Sequence, residues 1–215
     1  MKYLNAQQAF EHLYDSISDN GIKFDNTNTF LNHGFYIINP LDNFINTKWR
    51  NWNKNYAEYE WQWYLSGDPS GFEISKKAKI WKNHMDEKGN IRSNYGWQWN
   101  RNNQLEKVIN LLKEKPNTRQ AVLSIYDGKE IETYYKDTPC TNTIHFQIIQ
   151  NKLCMTVNMR SNDLWFGFCN DQYCFSKLLK LVADELKIEI GWYYHFSSNI
   201  HIYNNFLNKN RNGKR

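Results

Sequence analysis

The segment at 143–160 leaves this chain few options. In TIHFQII the apolar residues Ile144, Phe146 and Ile148 occupy every second position; Gln150-Asn151-Lys152 interrupts, and LCMTVNMR alternates again. A period of two predicts strands, and the short polar break joins them as a hairpin. In the second strand Leu153, Met155, Val157 and Met159 share one face, which puts Cys154, Thr156, Asn158 and Arg160 on the other. A sheet with one apolar face needs helices to cover it. Leu105, Val108, Ile109 and Leu112 recur at helical spacing before Pro116-Asn117, and from Phe175 onward Leu178, Leu179, Val182 and Leu186 predict an amphipathic helix of about 16 residues. Residues 121–126, closed by Asp127-Gly128, and 198–203 read as further strands, the last placing His201 and Tyr203 side by side opposite Ile200 and Ile202. The expectation is one mixed α+β domain over 1–215, with the first fifty residues unassigned.

Composition narrows the function classes. No window approaches the roughly 18 apolar residues of a membrane span, and the opening MKYLNAQQAFEHLYDS is too polar for a secretion signal, so a soluble cytoplasmic protein without a membrane partner is expected. Lys and Arg number 27 against 22 Asp and Glu, a formal charge of +5, but the tail at 208–215 supplies four of those cations. An anionic small partner therefore suits the body of the chain better than a nucleic-acid groove. Aromatic residues make up 16% of the chain, a density that serves core packing more often than base stacking. Cys140, Cys154, Cys169 and Cys174 form no CxxC pair, which points away from a zinc site or a disulfide framework and towards reduced thiols.

Three segments carry unusual polar residues: TPCTNT at 138–143, MRSNDLWFGFCND at 159–171 and NIHIY at 199–203. Taken singly, Cys140 would be an inert core thiol, Arg160 a paired surface charge and Glu60 an exposed helix acid. Together, and in this order, they resemble the thymidylate synthase superfamily: a Pro-Cys nucleophile ahead of a strand, an Arg-Ser-x-Asp element, a glycine followed four residues later by a pyrimidine-reading side chain, and a late His-x-Tyr. EWQWYLSG around Glu60, Ile80-Trp81, SNYGWQW at 93–99 and PNTRQ at 116–120 agree, so the resemblance covers about 56–206. It implies a thymidylate synthase-like fold, a mixed sheet packed with helices, whose sheet face serves a homodimer.

The resemblance implies a reaction as well. Cys140 would add to pyrimidine C6 and make C5 nucleophilic; 5,10-methylenetetrahydrofolate would be the one-carbon co-substrate, and no metal is implied. Arg160 would favour the thiolate and, with Arg119 and Ser161, bind the nucleotide phosphate. Asp163 would touch both substrate and folate, Trp81 would line the folate site, His201 and Tyr203 would hold the 3'-hydroxyl, and Glu60 would organise water and relay protons. At the base-reading position the synthases carry Asn, which accepts from uracil N3–H and donates to O4. Here Asp171 stands there, able to accept from the 4-amino group of cytosine and to share a proton with N3. With CTNT after Pro139, this is similar to the deoxycytidylate 5-hydroxymethylases of T-even-like bacteriophages. That subfamily implies dCMP as substrate, 5-hydroxymethyl-dCMP as product, and a host cytoplasm as location.

Some features depart from the family. Gln120 stands where a second arginine is usual, nothing at 16–30 matches an N-terminal arginine loop, and NKNRNGKR replaces a hydrophobic tail that closes over folate, which would leave a site more open to water. The rival readings are a thymidylate synthase acting on dUMP, a CMP hydroxymethylase, a Cys-His hydrolase using His145, and a non-enzymatic single-strand nucleic-acid binding protein.

Overall fold

The computed structural model describes residues 1–134 and 137–209. Strand β1 (Lys2–Tyr3) leads into helix α1 (Ala6–Asn20), whose N-terminus is capped by Asn5 Oδ1 accepting from the Gln8 amide at 2.9 Å. Ala6, Ala9, Phe10, Leu13, Tyr14 and Ile17 form its buried stripe. A tight hairpin of β2 (Ile22–Phe24) and β3 (Thr27–Ile37) follows, with Asp25 in the left-handed region at the turn. The first fifty residues, unreadable by periodicity, thus hold a helix and an edge of the sheet.

The helical layer continues with α2 (Lys54–Ser66), α3 (Phe72–Lys77), α4 (Tyr95–Asn100) and α5 (Gln104–Glu114). Helix α4 lies directly on the end of α2: a Cβ on Gly96 would sit 1.9 Å from the Tyr64 carbonyl oxygen, so only glycine permits that approach. Strand β4 (Val122–Ser124) precedes the expected hairpin of β5 (Thr141–Ile149) and β6 (Lys152–Met159), whose turn residues Gln150 and Asn151 both have positive φ. Then come β7 (Asn162–Asp163), helix α6 (Gly167–Leu186) and β8 (Glu189–Tyr203). The sheet runs β1-β3-β8-β6-β5-β4, mixed in direction, with β2 on β3 and β7 on β8. It is an α+β fold, as expected.

Two elements are longer than periodicity suggested. Helix α6 begins at Gly167, upstream of Phe175, because Phe168, Cys169, Gln172, Tyr173 and Cys174 are all buried around its first half and leave no polar stripe to read. Strand β8 begins at Glu189 rather than Ser198; Tyr193, His195 and Ser197 point inward, and two polar side chains on the buried parity disguise the alternation. On β6 the expected polar face is only partly polar, since Cys154 is buried beneath Gly191. Cys169 and Cys174 are buried in α6. Among the described residues no helix is long and apolar enough to cross a membrane. The basic tail beyond Lys209 lies outside the described residues.

Candidate active site

The ends of the β5–β6 hairpin bring the nucleophile and its counter-charge together. Cys140 immediately precedes β5, Arg160 immediately follows β6, and the Arg160 amide donates to the Cys140 carbonyl at 2.8 Å. The guanidinium folds back over the loop, with Nε donating to the Pro139 carbonyl at 3.0 Å and Nη2 to that of Thr138 at 2.9 Å. Nη2 also lies 3.7 Å from Cys140 Sγ. Burial pushes the thiol up to about 11, against which Arg160 pulls down; Asp171, Asp137 and Asp163 push up with burial. Arg160 thus pulls towards the thiolate, and burial outweighs it.

Past Arg160 the chain passes Ser161 and enters β7, which pairs in parallel with β8 and sets Asp163 opposite His201. The Trp165 amide donates to Asp163 Oδ1 at 2.8 Å, and burial raises this carboxyl to about 6 although the Trp165 and Phe166 amides and Arg50 favour its charged form. His201 and Tyr203 meet edge to face with centroids 5.3 Å apart; His201 is held by Asn199 at 3.1 Å, and burial lowers its imidazole below the usual range. The Tyr203 hydroxyl feels the charges of Asp163 and Cys140, so this pair borders the same site.

Asp171 lies on α6 four residues after Gly167, and its neighbour Asn170 accepts from Trp52 Nε1 at 2.8 Å, which anchors this part of the helix. Asp171 Oδ2 accepts from Asn162 Nδ2 at 2.7 Å. Burial, then the charge of Glu60, hold its carboxyl well above the usual range and so favour its protonated form. Glu60 itself is only 5% exposed, not a solvated helix acid. Tyr64 hydroxyl donates to its Oε1 at 3.0 Å, Oε2 has no partner, and burial raises the acid to about 7. Trp81 connects to this group through Tyr56, whose hydroxyl accepts from Trp81 Nε1 at 2.7 Å and senses Glu60 and Asp171.

Cys140, Arg160, Asp163, Asp171, Glu60, His201, Tyr203 and Trp81 thus form one cluster, with Ser161 beside it in the chain. Arg119 does not join it: it lies exposed before β4, next to His145. His145 is five residues along β5 from Cys140, about 16 Å at strand rise, too far for a base to that thiol. The cluster also contains residues that spacing did not single out, namely Arg50, Tyr56, Asp137, Asn162 and the buried His195. Arg50 Nε donates to the Trp165 carbonyl at 2.8 Å and its guanidinium lies 4.9 Å from the Trp165 ring. A polar residue on the buried parity of β8 was the one signal for His195.

A carboxyl whose protonated form is favoured, a buried carboxyl with a free oxygen, and a thiol beside a guanidinium can together add sulfur to an electron-poor ring, read its polar edge and manage protons. Comparison with known proteins agrees with this chemistry. A family model described as Thymidylate synthase matches residues 9–212. Deoxycytidylate 5-hydroxymethyltransferase of Enterobacteria phage T4 is 36% identical over 143 residues, covering 61% of this chain and 57% of its own. Deoxyuridylate hydroxymethyltransferase of Pseudomonas phage M6 is 30% identical over 220 residues, covering 97% and 63%. Thymidylate synthase of Mycoplasma genitalium is 27% identical over 219 residues, covering 86% and 71%. The match thus spans little more than half the length of the phage T4 relative. The cluster and the extent of the match lead to one statement of kinship: the chain belongs to the thymidylate synthase family.

Proposed function

We propose that this protein hydroxymethylates deoxycytidylate: dCMP, 5,10-methylenetetrahydrofolate and water give 5-hydroxymethyl-dCMP and tetrahydrofolate. The observation that carries the reading is Asp171, a carboxyl on α6 that accepts from Asn162 at 2.7 Å in the cluster that holds Cys140 and whose protonated form burial favours. A carboxylic acid offers one donor and one acceptor, which match cytosine N3 and the 4-amino group when the acid proton faces N3.

The roles follow from position. Cys140 Sγ bonds to C6 and its proton leaves to solvent or a neighbouring base; C5, now electron-rich, takes the one-carbon unit. Arg160 steadies the sulfur and, with Nη1 making no hydrogen bond to a described residue, faces the phosphate with Ser161. His201 and Tyr203 hold the 3'-hydroxyl. Glu60, with Oε2 free and an acid strength near neutrality, positions water and passes protons at C5. The folate co-substrate supplies carbon at the oxidation level of formaldehyde. The residues present fit it: the half-buried Trp81 ring fixed by Tyr56 offers a stacking face, and Asp163 offers a carboxyl able to donate or accept. Elimination of sulfur restores the ring after water has added to the exocyclic carbon. Residues 1–215 act as one catalytic domain in a cytoplasmic homodimer, where Arg119 serves the partner's phosphate.

Incubation with methylenetetrahydrofolate and each of dCMP, dUMP and CMP, with product masses read directly, tests this. A mass gain of one CH2O on dCMP is expected. The second reading is hydroxymethylation of dUMP, favoured by the M6 phage relative that matches 97% of the chain; a faster gain on dUMP would establish it instead.

A further inference from the structure

A polar chain runs inward from Asp171. Asn162 Nδ2 donates to Asp171 Oδ2 at 2.7 Å, Asn162 Oδ1 lies 3.1 Å from His195 Nε2, and His195 Nδ1 lies 2.6 Å from the Tyr193 hydroxyl. Asn162, His195 and Tyr193 are all buried, and the imidazole is wedged between Phe35 and Phe168 with both ring centroids 5.3 Å away. Glycine at 167 leaves room for the outer pair: a Cβ there would come within 3.1 Å of Asn162 Nδ2 and 3.2 Å of Asp171 Oδ2.

Hydrogen-bond valence gives this chain a direction. An amide oxygen only accepts, so His195 Nε2 must carry a hydrogen. Burial lowers the imidazole to about 3, so it is neutral and Nδ1 is bare. Nδ1 then accepts from the Tyr193 hydroxyl, whose one hydrogen starts the series. Turning the Asn162 amide over would reverse the series and leave the hydrogen of the buried Tyr193 hydroxyl without an acceptor among the described residues.

We infer that Tyr193 and His195 are positioning residues that, through Asn162, hold Asp171 Oδ2 as an acceptor, leave the acid proton on Oδ1, and so set the preference between cytosine and uracil. The inference rests on the base-reading role proposed for Asp171. A neutral acid whose proton is free to occupy either oxygen pairs with both bases. It donates to cytosine N3 and accepts from the 4-amino group, or it accepts from uracil N3–H and donates to O4. Fixing the proton removes one of these pairings. The mechanism makes no other use of His195 or Tyr193.

The test compares kcat/KM for dCMP and dUMP in the wild type, His195→Leu and His195→Gln. Leucine releases the Asn162 amide, and the preference should fall roughly tenfold towards unity, the worth of a buried hydrogen bond left unmade. Glutamine retains a donor for Asn162 Oδ1 and should keep most of the preference. An identical ratio in all three proteins would overturn the inference. Should the leucine variant fail to fold, imidazole 15N–1H correlation spectra of the wild type decide: hydrogen on Nε2 of His195 supports the chain's direction, hydrogen on Nδ1 overturns it. A wild type that prefers dUMP would displace the dCMP reading, yet loss of that preference in His195→Leu would still support the lock.

Discussion

Arg160 holds Nη2 3.7 Å from Cys140 Sγ while the same guanidinium clamps the carbonyls of Pro139 and Thr138. One side chain thus fixes the nucleophile's loop and supplies a counter-charge for the thiolate. Burial nevertheless dominates and the thiol stands at about 11. At pH 7 roughly one thiol in ten thousand is ionised, so formation of the thiolate must be coupled to substrate binding or to proton transfer.

Alkylation reports this directly. Cys154, Cys169 and Cys174 are buried, so iodoacetamide should modify Cys140 first. Its rate constant should rise about tenfold per pH unit between pH 7 and 10, since only the thiolate reacts. A plateau by pH 9, mapped to Cys140 by peptide mass, would contradict the raised thiol.

Replacing the sulfur separates binding from chemistry. Cys140→Ser should abolish product formation, a loss of at least about 10³-fold, because the covalent activation of C5 disappears. Nucleotide affinity measured by calorimetry should stay within a few-fold, since the phosphate and sugar contacts are untouched. Turnover persisting in Cys140→Ala would remove the thiol from the mechanism.

Glu60 makes stability fall as pH rises. Its acid stands at about 7 in the folded chain against an ordinary 4.5, so between those values the folded state binds a proton that the unfolded state has released. The penalty of burying the charge is absent below about 4.5 and complete above 7, about 3 kcal/mol in all. Asp163, raised by burial to about 6, adds to the slope in the same direction. Urea unfolding at pH 5 and pH 8 should show wild-type stability decreasing, with Glu60→Gln losing about 3 kcal/mol less. Equal slopes in the two proteins would mean that water reaches Glu60 freely.

The hairpin and the site beside it were legible for one reason: Cys140, Arg160, Asp163, Asp171, His201 and Tyr203 sit at the ends of elements whose periodicity or motif is clear. The placement of Asp171 on α6 was not, because Phe168, Cys169, Gln172, Tyr173 and Cys174 are buried in the first half of that helix and leave no clear polar stripe. His195 escaped notice for a related reason, as a polar side chain at an inward position of an aromatic strand breaks the pattern that marks a strand. Glu60 was legible by motif alone, and its burial emerges only when α2 packs beneath Tyr95 and α6. Arg119 lies outside the cluster, beside His145, and no pattern in a single sequence reports what a second copy would bring to it.

Its place outside the cluster bears on the proposed homodimer. Tyr36, Trp192 and Tyr194 pack together on β3 and β8, with Tyr36 ring centroids 5.1 Å and 4.6 Å from the other two, and none of the three is fully buried. Such an aromatic sheet face would suit association of two copies. Sedimentation at micromolar concentration should give twice 25.9 kDa, and Arg119→Ala should raise the KM for nucleotide about tenfold with little change in kcat. A fully active monomer would sink both expectations.

The sharpest prediction concerns Asp171→Asn. Asparagine keeps the shape and one acceptor but presents a permanent NH2 in place of a movable proton. With its oxygen towards N3 it satisfies uracil N3–H and O4, and with its NH2 towards N3 it satisfies cytosine, so the amide can turn to meet either base, whereas an acid with its proton held on Oδ1 meets one. A buried donor or acceptor left unpaired costs roughly 1 to 3 kcal/mol, or about 5- to 150-fold in relative rate. The kcat/KM ratio of dCMP to dUMP should therefore drop by that factor. The product from dCMP in the wild type should be 5-hydroxymethyl-dCMP with tetrahydrofolate alone, because water, not hydride, completes the reaction. Dihydrofolate absorbance growing in step with nucleotide consumption would reveal hydride transfer and make the chemistry methylation. An unchanged ratio in Asp171→Asn would take the base-reading role away from Asp171 even with hydroxymethylation confirmed.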